Sequence, residues 1–189
     1  MKLYIKNMVS KSCKIIVNSE LEKFGLHVKI VELGEVEIVE CLSEEQFNLL
    51  NASLKKSGFA LIDDKRIILI EKIKNTIIKL LYDSEEPLKV NLSDYLGEKI
   101  AYDYTYLSNQ FKKDQGITIE HFYLIHKIEL VKELLVYDEL NLTEIAYKLH
   151  YSSVAHLSNQ FKKITGLSPS HFKKLKENRR RSLGTFEIM

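Results

Sequence analysis

Apolar and polar residues follow two different periods in the first 62 residues of the chain. Short alternating runs predict strands at residues 3–6 and 59–62 and in the two arms of a hairpin that turns at Gly34. Helical spacing predicts one helix over about 13–24 and another after Ser43-Glu44-Glu45-Gln46, which has the form of a capping box. The predicted order is β-α-β-β-α-β, typical of a ferredoxin-like α+β domain with two helices on one face of an antiparallel sheet.

The apolar residues of these elements are the expected core of this first domain. The first helix contributes Ile16, Val17, Leu21 and Phe24, the hairpin Val28, Ile30, Leu33, Val36, Ile38 and Val39, and the second helix Phe47, Leu50 and Leu54. Gly25 and Gly58 are expected to end the two helices because glycine accepts the left-handed conformation there.

The pattern changes after Asp63, beyond which no strand is predicted. Ile70, Ile73, Ile77 and Leu80 stand three or four positions apart, so a helix over about 67–81 is expected to pack on other elements. We therefore predict a first domain over 1–62, a connecting helix over 63–82, and an all-α domain over 83–177. A basic tail over 178–189 completes the chain.

An internal repeat occupies the all-α region. The heptapeptide Leu107-Ser-Asn-Gln-Phe-Lys-Lys113 recurs unchanged as Leu157-Ser-Asn-Gln-Phe-Lys-Lys163. The similarity extends in both directions, since Asn91, Gly116 and His121-Phe122 match Asn141, Gly166 and His171-Phe172. Two copies of one supersecondary unit are present.

Each copy has the pattern of a helix, a short turn and a second helix. In the second copy Asn141 is a suitable N-cap with Glu144 three positions later, residues 150–153 form the turn, and the next helix covers about 153–165. The first copy has its second helix at about 103–115. One long helix over 119–137 is predicted between the copies, and Ser168-Pro169 opens a further helix.

The outward face of each second helix carries small, hydroxyl or amide side chains followed by lysines. These residues are Thr105, Ser108, Asn109, Lys112 and Lys113 in the first copy and Ala155, Ser158, Asn159, Lys162 and Lys163 in the second. Amides pair with adenine edges in the major groove, hydroxyls pair with several bases, and lysines bind phosphates. A solvated helix face could carry the same residues, but packing alone would not require an identical Ser-Asn-Gln between the two buried positions.

Composition excludes disorder, since 45% of the 189 residues are hydrophobic and 29% are charged. The net charge is only +2, so the whole-chain sum does not indicate a nucleic-acid partner. Positive charge is concentrated between Ile145 and Phe186, where one acid, Glu177, accompanies a set of nine bases. They are Lys148, Lys162, Lys163, Lys173, Lys174, Lys176 and Arg179–Arg181. Such a patch suits binding to phosphates.

Residues 75–177 resemble the DNA-binding domain of the AraC/XylS family of transcriptional regulators. The matching residues of the second copy are Ile145-Ala146, Tyr151, Leu157-Ser158, Phe161-Lys162-Lys163, Gly166, Pro169 and Phe172. The resemblance implies two helix-turn-helix motifs whose second helices enter successive major grooves of duplex DNA. His150 stands where the family often has Gly, Asn109 and Asn159 stand where it often has Arg, and the first turn is one residue shorter than the second.

The N-terminal segment resembles the heavy-metal-associated fold of copper chaperones. Met8-Val-Ser10-Lys-Ser-Cys13 aligns with the Met-x-Cys-x-x-Cys loop of that fold, so serine replaces one thiolate ligand. A hydroxyl binds a soft metal poorly, and Cys41 is expected at the opposite end of the sheet. Cys13 is thus a weak metal candidate, and the domain is expected to serve dimerisation or to bind another effector.

Two cysteines exclude a disulfide framework, and neither a signal peptide nor a membrane span is recognisable. We therefore expect a cytoplasmic protein. No phosphate-binding loop or nucleophile motif indicates an enzyme, and no cofactor is expected. The sequence predicts a sequence-specific transcription regulator. A metal-responsive sensor or chaperone and a protein-interaction adaptor are the alternatives.

Overall fold

The structure of the protein is a computed structural model that describes residues 1–83, 90–137 and 140–175. Its strands are β1 (Lys2–Lys6), β2 (Val28–Glu32), β3 (Glu35–Ile38) and β4 (Ala60–Ile62). Its helices are α1 (Lys11–Lys23), α2 (Glu44–Lys56), α3 (Lys65–Asp83), α4 (Leu92–Ile100), α5 (Tyr104–Gln115), α6 (Ile119–Tyr137), α7 (Leu142–Lys148) and α8 (Val154–Thr165). The chain is helical again over 169–175.

The four strands form one antiparallel sheet in the order β2-β3-β1-β4. Leu3 pairs with Val36 on one side of β1 and Ile5 pairs with Leu61 on the other. The order of strands and helices in this part of the chain is the predicted one. The sheet is followed by helices only, within the residues that the structure describes.

One face of the sheet carries a hydrophobic core. Leu3 and Ile5 alternate along β1 and point to this face, where α1 and α2 cover them. Val17 and Leu21 of α1 and Leu50 and Leu54 of α2 are fully buried in the same cluster. The capping box predicted at the start of α2 is confirmed, because Ser43 and Gln46 exchange side-chain to backbone hydrogen bonds.

Four residues of the predicted core are exposed instead. Ile16 and Phe24 lie outside the narrow stripe along which α1 meets the core. Ile30 is exposed because the pairing of β2 with β3 shifts register between Val28 and Ile30, so that Val31 packs inward. Val39 is exposed since it follows the last residue of β3.

Helix α3 lies over the other face of the sheet. The ammonium of Lys72 stands 5.1 Å from the centroid of the Tyr4 ring. A Cβ atom on Gly34 would meet the side-chain amide of Asn75, and the φ of 79° at this turn favours glycine. Ile70, Ile73 and Ile77 are buried as the spacing predicted.

The chain consists of two compact units, each held together by contacts among its own residues. The first contains Met1–Lys79 and Ser93–Gly116, and the second contains Leu80–Leu92 and Ile117–Met189. The helix-turn-helix of α4 and α5 therefore belongs to the same unit as the sheet, whereas that of α7 and α8 belongs with α6. No helix among the described residues is long and apolar enough to cross a membrane.

Candidate nucleic-acid interface

The first helix-turn-helix motif consists of α4 and α5. Ala101 follows α4 with a φ of 59°, a left-handed conformation that reverses the chain. Asp103 caps α5 by accepting a hydrogen bond from the amide of Tyr106, and Gly116 ends α5 with a φ of 72°. A left-handed residue, a cap and a terminal glycine thus fix both ends of α5.

The second motif has the same construction in α7 and α8. Asn141 and Glu144 form the predicted capping box at the start of α7. His150 takes the left-handed position with a φ of 54°, as the departure from glycine in the sequence implied. Ser153 caps α8 through the amide of His156, and Gly166 ends the helix with a φ of 78°. The cap of α8, Ser153, lies three positions after His150, whereas the cap of α5, Asp103, lies two positions after Ala101.

The apolar residues of the repeated heptapeptide are buried in both copies. Leu107 and Phe111 of α5 and Leu157 and Phe161 of α8 have no exposed surface. In the second unit α8 packs into a core that includes Ile128, Val131 and Ile145, and the Phe161 ring meets Phe172 edge on at 5.6 Å. These contacts fix which face of α8 turns to solvent.

The ten predicted DNA-binding residues lie on the solvent-facing sides of α5 and α8. Eight are exposed and the two serines are half-buried: Thr105, Ser108, Asn109, Lys112 and Lys113, with Ala155, Ser158, Asn159, Lys162 and Lys163. Burial agrees position by position from 105 to 113 and from 155 to 163. Each motif thus presents the same row of polar groups beside two lysines. Their contact with DNA remains a prediction.

Among the residues that the structure describes, none forms an ion pair with the four lysines of these helices, Lys112, Lys113, Lys162 and Lys163. Each pair lies in the last turn of its helix. Lys148 and Lys174 are also exposed. The predicted basic residues Lys176 and Arg179–Arg181, with the tail 178–189, lie outside the described residues.

Two exposed residues at the front of the helices were not among the predicted contacts. Tyr106 of α5 stacks on Tyr102 with 5.6 Å between ring centroids, and its equivalent in α8 is His156. The Nδ1 atom of His156 lies 3.1 Å from Oγ of Ser152. The sequence offered one signal for these two residues. The position directly before the unchanged heptapeptide differs between the copies, with Tyr106 in the first and His156 in the second.

A cation lies against the turn of the second motif. The ammonium of Lys127, on α6, is 4.1 Å from the centroid of the Tyr151 ring and 5.7 Å from that of Tyr123. Desolvation lowers the pKa of Lys127 to about 8, while attraction to the two rings favours its charged form. Burial raises the pKa of Tyr151, and its hydroxyl has no hydrogen-bond partner in the described part of the chain.

In the loop before α1 a hydroxyl lies beside the thiol in the first turn of that helix. Oγ of Ser10 lies 3.3 Å from Sγ of Cys13, and Met8 is fully buried. Burial raises the pKa of Cys13, but hydrogen bonds from Ser10 and backbone amides outweigh burial and lower it overall. Cys41 follows β3, whose last residue receives a hydrogen bond from the amino group of Met1 at the start of β1. The described residues contain no group of three or more His, Cys, Asp or Glu side chains able to hold a metal.

Comparison with known proteins identifies the helical region. Residues 96–175 match the family model of a helix-turn-helix domain. No curated protein matches the chain.

Several solved structures are similar to part of the chain. The C-terminal domain of the response regulator AraT from Geobacillus stearothermophilus is 24% identical with a TM-score of 0.49, and the match covers 57% of this chain and 84% of that one. The C-terminal domain of the response regulator yesN from Fusobacterium nucleatum is 29% identical with a TM-score of 0.46, over 54% of this chain and 98% of that one. An AraC-type transcriptional regulator from Chromobacterium violaceum is 19% identical with a TM-score of 0.48, over 56% and 93%.

The family match spans both copies of the repeat, and within each copy the caps, the left-handed turn residue and the buried pair form a helix-turn-helix. Residues 96–175 are therefore a helix-turn-helix domain, and the protein is a DNA-binding transcription regulator.

Proposed function

We propose that this regulator recognises its operator by placing α5 and α8 in two successive major grooves. The observation that carries the proposal is the repeated outward face of the two helices. Each position from Leu107 to Lys113 is buried or exposed to the same degree as the matching position from Leu157 to Lys163. Because folding requires only the buried positions to agree, the identical polar residues between them indicate a shared ligand chemistry.

Base contacts are assigned to the small and amide side chains. Asn109 and Asn159 can each bond twice to an adenine edge, and Ser108 and Ser158 can bond to several bases. The methyl groups of Thr105 and Ala155 suit contact with a thymine methyl. These chemistries predict half-sites that contain A·T pairs.

Phosphate contacts are assigned to Lys112, Lys113, Lys162 and Lys163. Lysine binds phosphate as a point charge and releases counterions from DNA, so affinity should fall steeply with salt. Because the four ammonium groups have no ion-pair partner among the described residues, no internal ion pair must be broken first.

A selection from random duplex DNA tests the proposal. The purified full chain would be incubated with the library at two salt concentrations, and the retained duplexes sequenced. We expect enrichment of two half-sites about one helical turn, or 10–10.5 bp, apart, with weaker retention at the higher salt. Enrichment of a single half-site would contradict reading by both helices. Retention that does not change with salt would contradict the assigned phosphate contacts.

For the N-terminal region we propose a ferredoxin-like domain over 1–62, similar to the heavy-metal-associated fold but used without a metal. The strand order β2-β3-β1-β4 and the two helices on one face support this assignment. Dimerisation or effector binding is the role that we assign to it, with 63–82 as connecting helix and 83–177 as DNA-binding domain. We propose a cytoplasmic protein without catalytic activity. Light scattering of the purified chain with and without DNA tests for a dimer.

A further inference from the structure

A cavity of about 450 Å³ lies beside β1 within the first unit. Its walls come from the sheet, from Phe47 of α2, from α3 and from the end of α4 with the turn that follows, and all of these residues belong to one compact unit. Apolar side chains form much of the wall, namely Leu3, Phe47, Ile62, Ile68, Leu69 and Ile100. The volume is within the usual range of about 300–1,000 Å³ for small-molecule sites.

Residues on one side of α3 bring positive charge to the cavity wall. Lys65, Ile68, Leu69 and Lys72 follow each other at spacings of three and four, so they share one side of the helix. Two ammonium groups therefore flank an apolar centre. Neither lysine forms an ion pair with another described residue, although Lys72 contacts the Tyr4 ring.

The charges in this cavity differ from those in its neighbour. Lys65 and Lys72 line the first cavity together with one acid, Asp63, while the third lysine of its wall, Lys2, is paired with Glu35. An adjoining cavity of about 310 Å³ has three acids, Glu32, Glu35 and Glu71, beside three lysines. An anion is therefore favoured in the first cavity and not in the second.

We propose that the first cavity binds an amphiphilic organic acid, with its carboxylate at Lys72 and its apolar body along Ile68 and Leu69. The cavity also reaches Tyr102, in the turn of the first helix-turn-helix, and Tyr102 stacks on Tyr106 at the front of α5. Occupancy therefore acts on the helix that reads the first half-site. This second step rests on the proposed function, whereas binding of the acid does not.

Calorimetric titration of the full chain with decanoate tests the site, with decanol as the uncharged match. Since a hydrogen bond to a charged group is worth about 1.5–3 kcal/mol, decanoate should bind about tenfold more tightly or better. Lys72→Met should remove most of that preference. Lys55→Met is the matched control, because it removes the same charge from an exposed position of α2 that does not line the cavity. Equal binding of decanoate and decanol would overturn the proposal.

A second variant blocks the cavity itself. Ile68→Trp places an indole in it, and because the chain has no Trp, its emission reports directly whether that indole is buried. We expect a folded protein with blue-shifted emission that no longer binds decanoate. Undiminished binding by this variant would show that decanoate binds elsewhere and would overturn the assignment.

Fluorescence anisotropy with a labelled duplex from the selection tests the link to DNA. Saturating decanoate should change the dissociation constant for DNA about fivefold or more in the wild type and not in Ile68→Trp. An unchanged constant despite calorimetric binding would refute the link to α5. Absence of DNA binding in every condition would count against the proposed function. The calorimetric titration would then still test whether the cavity binds decanoate.

Discussion

The two helix-turn-helix motifs contain the same heptapeptide but hold their turns in different ways. Tyr102 in the first turn is 53% exposed and stacks on Tyr106, whereas Tyr151 in the second turn is 9% exposed and packs against Lys127 and His156. The first turn is also one residue shorter. Sequence identity in the second helix of each motif therefore coexists with an open turn beside a cavity in one unit and a closed turn beside α6 in the other. The comparison teaches that the neighbours of each turn, and not the shared heptapeptide, determine how the turn is packed.

The largest effect is expected where the motifs are alike. Phe111→Ala and Phe161→Ala each remove a ring without exposed surface, so each should lower the free energy of unfolding by about 3–5 kcal/mol. Guanidinium titration measures the loss, and hydrogen exchange with mass spectrometry localises it. We expect lost protection in the first unit for Phe111→Ala and in the second for Phe161→Ala. Loss in both units from either change would contradict the division into units.

Substitution of the tyrosine in each turn should have a different effect on stability in the two motifs. Tyr151→Ala should cost about 2–3 kcal/mol because it empties a buried position, and Tyr102→Ala less than about 1 kcal/mol because half of the side chain is in solvent. Chemical denaturation measures both. Tyr151→Phe is the control, since it removes only a hydroxyl that has no described partner and should not destabilise. Equal costs for the two alanine variants would remove the distinction between an open and a closed turn.

Asn109→Ala and Asn159→Ala test whether the two helices read bases alike. Each should weaken binding to the selected operator by about 1–3 kcal/mol and relax the preference at one base pair of its own half-site. Binding to unrelated duplex should hardly change, because phosphate contacts are retained. Competition anisotropy with both duplexes gives the two constants. An equal loss on both duplexes would argue against base reading by the altered residue.

The smallest effects are expected at the left-handed turn residues. Ala101→Gly and His150→Gly should each stabilise by up to about 1 kcal/mol, since a side chain with positive φ is strained. The gain should be larger at Ala101 because His tolerates this conformation better than Ala. Thermal unfolding measures both against Gly166→Ala, which should destabilise. Destabilisation by Ala101→Gly would mean that the entropy cost of glycine exceeds the strain.

Local chemistry made the helical region predictable to within a residue or two. Pattern and capping rules identified the capping box of Asn141 with Glu144, the glycines at 116 and 166, and the limits 119–137 of α6. These features depend only on neighbours in sequence. The expected core of the first domain was less accurate. The exposure of Ile30 depends on a register shift between two strands, and the exposure of Ile16 depends on how α1 meets the sheet.

The sequence by itself determined the elements, the repeat and the polar residues on the outward faces of α5 and α8, because helical periodicity and caps act over a few residues. Only the tertiary structure decided that the first motif belongs with the sheet, that Tyr151 is buried while Tyr102 is not, and that Lys65 and Lys72 border a cavity with Tyr102. These features arise from contacts between residues far apart in the chain, and no local pattern encodes which distant surfaces will meet.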